Sequence, residues 1–289
     1  MKRVLFVHGI GNHAAGYSDP WRQQFNRFLN FSLDQYVEGL WEPAMEGGGG
    51  GAAFGVGAHP APDSGESAVK SEIEAALQDR AEALAMETSA GRDLPPSPAS
   101  PAVDIAPAQP PVGMAVQPGE VQTVSIIDLI RNAWESPGDF VRYLADGNIR
   151  RNVKALVYNR LLQATDIADS VHVIAHSWGT VVVYEIAHDL AREHPGRKIA
   201  TLFTLGSPLW IPPVRKRLEV STGEKPTSVE LWVNIEARGD RVGNWLHPIF
   251  EVDRDFQLPA PGGGNPHGSY FVPGNDAVQG DVVARYIQR

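Results

Sequence analysis

Two periods alternate along this chain. Short, nearly continuous runs of apolar residues stand at Arg3 to Val7, Tyr36 to Trp41, Ser170 to Ala175, Lys198 to Leu205 and Ser228 to Ile235. Runs of this length without polar alternation are the pattern of strands buried on both faces. Between and after them the apolar positions recur at helical spacing: Trp21, Phe25, Phe28 and Leu29; Val153, Leu156, Val157 and Leu161; Val278, Val282 and Tyr286. Each set makes one stripe along a helix. Asp19-Pro20 ahead of the first stripe reads as a helix start, the acid as N-cap and the proline in the first helical position. Val124 to Trp134 and Phe140 to Leu144 also read as helical, which makes 124–146 a candidate helical cap. Strands alternating with helices predict an α/β fold, a mostly parallel sheet with helices on both faces.

The pattern breaks at Pro43 and resumes near Val121. The 78 residues Pro43 to Glu120 hold 11 of the chain's 23 prolines and the five-glycine run Gly47 to Gly51, a composition that does not build a core. Inside it, Glu66 to Glu87 carries Val69, Ile73, Leu77 and Leu84 at roughly helical spacing among alanines, a weak amphipathic helix. The expectation is one domain over 1–289 with 43–120 as a low-complexity insertion. The remaining 211 residues suit a single α/β domain.

Charge and composition narrow the function classes. With 34 acidic against 25 basic side chains and no long basic block, nucleic acid is not the expected partner. The apolar run Val4 to Val7 is too short for a signal-peptide core, and no segment approaches membrane-spanning length, so a cytoplasmic protein is expected. The absence of cysteine excludes disulfides, thiol catalysis and Cys-ligated zinc, and no H-x-x-x-H or H-E-x-x-H pair suggests a metal.

The segment Val171 to Thr180, V-H-V-I-A-H-S-W-G-T, runs from a buried strand through a turn of small residues around Ser177 into an apolar helix. That is the form of a nucleophile elbow: a strained turn lifts the serine hydroxyl off the sheet, and the helix N-terminus offers N–H groups to a developing oxyanion. Ala175 stands where the usual pattern has glycine, the next smallest side chain. The alternative for Ser177 is an ordinary helix cap. A second motif, Val4 to Gly16, V-L-F-V-H-G-I-G-N-H-A-A-G, is a strand that enters a glycine-rich loop. The same loop spells G-x-G-x-x-A at Gly9, Gly11 and Ala14, a dinucleotide-binding pattern, but the helix start falls late at Asp19, and Glu38 and Glu42 sit awkwardly for a ribose contact.

Together, H-G-I-G and A-H-S-x-G resemble the motifs of small bacterial lipases and esterases of the α/β-hydrolase superfamily. The resemblance implies the α/β-hydrolase fold and an oxyanion hole made by the N–H groups of Ile10 and Trp178. It implies an acid after a later strand and then a histidine, in that order. Asp240, in a G-D-x-V turn after Ser228 to Ile235, matches the acid; Glu236 is the alternative, and an Asx bond bracing the turn is the plainer role for Asp240. His267, in N-P-H-G-S-Y before the C-terminal helix, matches the base, with His247 the other candidate. Leu209, Trp210 and Ile211 follow the next strand and either line an acyl pocket or anchor their own loop. His8 and His176 read as ordering groups. The expected activity is hydrolysis of a small-molecule carboxylic ester through an acyl-enzyme on Ser177, with no cofactor; a thioester, amide or acyl-transfer reaction would use the same residues. The rival from another class is a non-catalytic, hydrolase-like domain that binds a partner through its Pro-rich segment.

Overall fold

The computed structural model describes residues 1–9, 15–41, 64–89, 137–220, 222–261 and 265–289. Six strands form one sheet: β1 (Lys2–Val7), β2 (Tyr36–Gly39), β3 (Ser170–His176), β4 (Ile199–Leu205), β5 (Val229–Ala237) and β6 (Arg254–Leu258). They lie in the order β2-β1-β3-β4-β5-β6, and every neighbouring pair is parallel. Side chains alternate across it: Leu5, Val7, Val173 and Ala175 enter one core, and Val4, Phe6 and Ile174 enter the other. The fold class is therefore α/β with two apolar layers around a parallel sheet. From β1 the chain steps outward to β2, then crosses back to β3 and continues in the other direction. In open parallel sheets such a reversal leaves a crevice at the carboxyl ends of the strands. β1 and β3 flank it, paired from Lys2 with Ser170 to Val7 with Ala175.

One layer holds α1 (Asp19–Leu29) and the C-terminal segment, a wide π-helix Ala277–Ala284 that runs into an α-turn, Arg285–Gln288. Helix α1 starts one residue earlier than expected: Ser18 is the N-cap, with Asp19 and Pro20 inside the first turn. The other layer holds α2 (Ser64–Ser89), α3 (Pro137–Ala145), α4 (Gly147–Ile167) and α5 (Gly179–Glu193). Asp146 caps α4 by accepting from the N–H groups of Asn148 and Ile149. Glu185 on α5 is fully buried and accepts from Tyr143 Oη on α3, from Arg150 on α4 and from the Glu219 N–H, an ionic knot that fixes these elements together. Among the described residues no helix is long and apolar enough to cross a membrane.

Two features depart from the sequence pattern. Strand β6 carries little apolar signal because it is an edge strand whose one buried residue is Asp255. Within 43–120, α2 is a 26-residue helix whose Val69, Ile73 and Leu77 are buried in the core layer against α3, and Ala81, one turn on, is buried as well. Its Arg80 reaches Glu236 at the end of β5, 2.8 Å away. Of the candidate cap, 124–136 lies outside the described residues; Phe140, Val141, Tyr143 and Leu144 belong to α3 and are buried.

Candidate active site

Strand β3 ends at His176, and the next residue, Ser177, takes a left-handed conformation with φ of 54°. For a residue with a Cβ that geometry costs on the order of 1–3 kcal/mol and persists only where its surroundings hold it. Here both ends are held: the Ser177 N–H donates to Leu205 O on β4 (2.9 Å), and Ser177 O accepts from Thr180 N (3.0 Å) and Thr180 Oγ1 (2.6 Å). Helix α5 begins at once, with Trp178 as N-cap. Close packing around the turn explains the glycines beside it. A Cβ on Gly179 would lie 2.2 Å from His8 O, and one on Gly9 would lie 2.6 Å from Ser177 Cβ. Ala175 is completely buried between Val7 and Thr204 of the flanking strands.

Asp240 follows β5 and is fully buried, and His267 sits in a 3-10 turn, Pro266–Phe271, entered through Asn265, whose Oδ1 accepts from His267 N. His267 Nδ1 donates to the Asp240 carboxylate at 3.0 and 3.1 Å, which leaves Nε2 as the acceptor nitrogen of the neutral ring. Nε2 is 2.9 Å from Ser177 Oγ. Asp240 Oδ1 also accepts from Val242 N (2.8 Å), the turn-bracing bond, so the same carboxylate braces its turn and holds the His267 ring. Oδ2 accepts from Tyr270 Oη (2.6 Å), and Tyr270 Oη in turn accepts from Ala237 N (2.9 Å). Burial pushes the Asp240 carboxyl up, but the charge of His267 and hydrogen bonds from His267, Tyr270 and the Gly243 N–H outweigh it and hold the group down to about 2. Gly206 leaves room for this pair: a Cβ there would meet Asp240 Oδ2 at 2.9 Å and the His267 ring at 3.0 Å.

The structure thus brings Ser177, His267 and Asp240 into one hydrogen-bonded chain. It does not bring the alternatives there. Glu236 Oε1 faces Arg80 and its Oε2 faces Gln257 (3.4 Å); burial pushes its carboxyl up to about 8, with Arg80 opposing. His247 lies in the loop that Asp255 organises by accepting from the N–H groups of Leu246 and His247. His8 Nδ1 donates to Gly9 O (2.6 Å) and its ring stacks on Trp41; His176 Nε2 donates to His267 O (2.8 Å). Both histidines order the loops beside Ser177. Trp178 is 1 % exposed, its ring stacked on Phe140 at 3.5 Å. Ile10 lies outside the described residues, as do Gly11 and Ala14 of the glycine loop. Glu38 has a local use: its carboxylate accepts from Gly16 N, Ser18 N and Ser18 Oγ, tying down the loop's end.

The expectation for Leu209, Trp210 and Ile211 as an acyl pocket needs correction. Leu209 and Ile211 are fully buried in the core, and Trp210 Nε1 donates to Val242 O (2.6 Å), so these residues anchor their own loop. The open space at Ser177 is a cleft of about 400 Å³ lined among the described residues by Gly9, Pro20, Trp21, His176, Ser177, His267, Gly268, Phe271, Val272 and Pro273. Tyr270, Trp21 and Phe271 are therefore the site residues that sequence reasoning passed over. The signal for Tyr270 and Phe271 was their place in the turn that carries His267; for Trp21 there was none beyond its helix stripe. Among the described residues no group of three or more His, Asp or Glu side chains is placed to hold a metal ion.

No protein-family model and no curated protein matches the chain. Among solved structures it is similar to an uncharacterized protein from Pseudomonas aeruginosa, with 10% sequence identity and a TM-score of 0.38 over 99% of this chain and 46% of that one. The chain therefore spans about half the length of that protein.

Proposed function

We propose that this chain is a serine hydrolase of the α/β-hydrolase kind that cleaves a carboxylic ester through an acyl-enzyme on Ser177. The observation that carries the reading is the chain Ser177 Oγ, His267 Nε2, His267 Nδ1, Asp240, with separations of 2.9 and 3.0 Å, at a left-handed serine between strand and helix. A structural hydrogen bond would not require the strained backbone, the excluded Cβ positions at Gly9 and Gly179, or a fully buried carboxylate behind the imidazole.

The chemistry follows from the geometry. Ser177 Oγ attacks the ester carbonyl carbon as its proton passes to His267 Nε2, and the carbonyl π pair moves onto oxygen. Asp240, ionised because its carboxyl is held near 2, stabilises the imidazolium that forms and fixes the ring so that Nε2 faces the serine. The oxyanion returns its pair, the bond to the leaving oxygen breaks, and His267 gives that oxygen its proton. Water then attacks the acyl-enzyme with His267 as base, releasing the acid and restoring the serine. The N–H of Trp178, at the N-terminus of the 15-residue helix α5, is one donor to the oxyanion, and Ile10 supplies the other in this reading.

The test is turnover of p-nitrophenyl acetate by the wild type, Ser177→Ala and His267→Ala, with far-UV circular dichroism to check folding. The reading predicts activity in the wild type and a loss of several orders of magnitude in both variants. A folded Ser177→Ala variant with wild-type turnover, or a wild type inert to every ester offered, would end it.

A further inference from the structure

The cleft beside Ser177 is not symmetric about the serine, and its asymmetry separates the two halves of an ester. Among the described residues Trp178 offers no open surface to it: its side chain is buried and its ring lies against Phe140 of α3. The described opening is lined by His267 and the residues that follow it, Gly268, Phe271, Val272 and Pro273, together with Pro20 and Trp21 of α1. The leaving oxygen of an ester must come within hydrogen-bond reach of His267 Nε2 to receive its proton. Whatever that oxygen carries therefore extends over the same residues.

The wall is rigid and uncharged. Trp21 and Phe271 stack face to face, ring centres 3.8 Å apart and planes 4° apart, joining α1 to the turn that holds His267. Trp21 also packs edge-on against Phe6 and Phe271 against Phe25, so neither ring is free to fold away. Apart from His176 and His267, the cleft lining has no titratable side chain among the described residues. A charged group entering it would lose water without gaining a partner, whereas an alkyl or aryl group would cover half-buried aromatic surface.

We infer that this cleft receives the alcohol half of the ester, that the preferred alcohol is uncharged and apolar, and that Trp21, Phe271 and Val272 determine how large it can be. The inference rests on the hydrolase reading above. It predicts selectivity in acylation, because the alcohol has left before the acyl-enzyme meets water, so it appears in kcat/KM and not in the deacylation rate.

The experiment measures acid release from two ester series, with fluorophosphonate labelling of Ser177 in parallel. In the first series acetate is fixed and the alcohol runs from ethanol to hexanol; in the second ethanol is fixed and the acyl group runs from acetyl to hexanoyl. Full burial of a methylene corresponds to about fourfold in kcat/KM. Hexyl acetate is therefore expected to exceed ethyl acetate by at least about tenfold, while ethyl hexanoate stays within about threefold of it. Replacing the terminal methyl group of the hexyl chain by a carboxylate should remove the gain. Val272→Trp, which fills the cleft from a partly exposed position, and Phe271→Ala, which removes one wall, should each lower the hexyl-to-ethyl ratio. If Ser177 is unlabelled and no ester turns over, the hydrolase reading falls and takes the inference with it. If Ser177 is labelled and esters turn over, but kcat/KM follows acyl length or ignores both, or Val272→Trp leaves the ratio unchanged, the inference alone is overturned.

Discussion

Replacing Tyr270 by phenylalanine removes one oxygen from the interior and nothing else of consequence to packing. That oxygen does two things: it donates to Asp240 Oδ2 at 2.6 Å and accepts from Ala237 N at 2.9 Å. A hydrogen bond to an ionised acceptor contributes about 1.5–3 kcal/mol, and a buried N–H left without an acceptor costs about 1–3 kcal/mol. Because one hydroxyl makes both bonds, the two terms are not independent, and a loss of about 3 kcal/mol is expected for the pair. At roughly 2–4 °C per kcal/mol for a domain of this general size, the melting temperature should fall by about 6–12 °C. Urea unfolding at pH 7, followed by tryptophan fluorescence, gives the free energy directly. The hydrogen bond from Tyr270 also helps hold the Asp240 carboxyl low, so its removal lets that value rise from about 2 while leaving the group ionised at neutral pH. Activity at pH 7 should therefore drop far less than in Asp240→Asn. A Tyr270→Phe variant within 0.5 kcal/mol of wild type would mean that this hydroxyl does not bridge Asp240 and β5 as described.

Further expectations concern the acid at the end of β5, the helix inside the Pro/Gly-rich stretch, and the choice of histidine. Burial pushes the Glu236 carboxyl from 4.5 up to about 8, so the native state holds a proton that the unfolded chain releases, and stability falls as pH rises through that window. Glu236→Gln should flatten that slope between pH 5 and pH 9; parallel urea-unfolding profiles for the two proteins would refute it. Ile73 on α2 is 1 % exposed, so Ile73→Ala should destabilise the protein by about 2–5 kcal/mol, and a change under 1 kcal/mol in the same assay would place α2 outside the cooperative core. His267→Ala should lose several orders of magnitude in ester turnover while His247→Ala, in the loop that Asp255 organises, keeps most of it; the reverse result would move the base.

How much of this was legible in the sequence depends on how local each signal is. The inner strands β1, β3, β4 and β5 are visible as apolar runs because a parallel sheet covered on both faces makes most positions apolar, and the edge strand β2 shows through Tyr36 and Val37. β6 was not, since an edge strand reading R-D-F-Q-L buries an aspartate and leaves its other residues partly exposed. Ser177 was legible because strand, strained turn and helix are consecutive in the chain, and Asp240 and His267 because the resemblance implied an acid and then a histidine after particular strands. The cleft was opaque for the opposite reason: Trp21 and Phe271 are 250 positions apart and meet only when α1 packs on the turn after His267. Helix α2 was readable as a weak stripe, but its burial depends on α3 and on Arg80 meeting Glu236, contacts that lie far from it in the chain. Leu209, Trp210 and Ile211 misled because apolar residues after a strand look alike whether they face a substrate or the core.

The central claim is that Ser177 is the one activated nucleophile, and the measurement that reaches it most directly is covalent labelling with a fluorophosphonate followed by peptide mapping. The account predicts a single adduct, on the peptide that contains Ser177, absent from folded Ser177→Ala and strongly slowed in His267→Ala. An adduct on another serine, or no adduct on folded wild-type protein at any time of incubation, would contradict it.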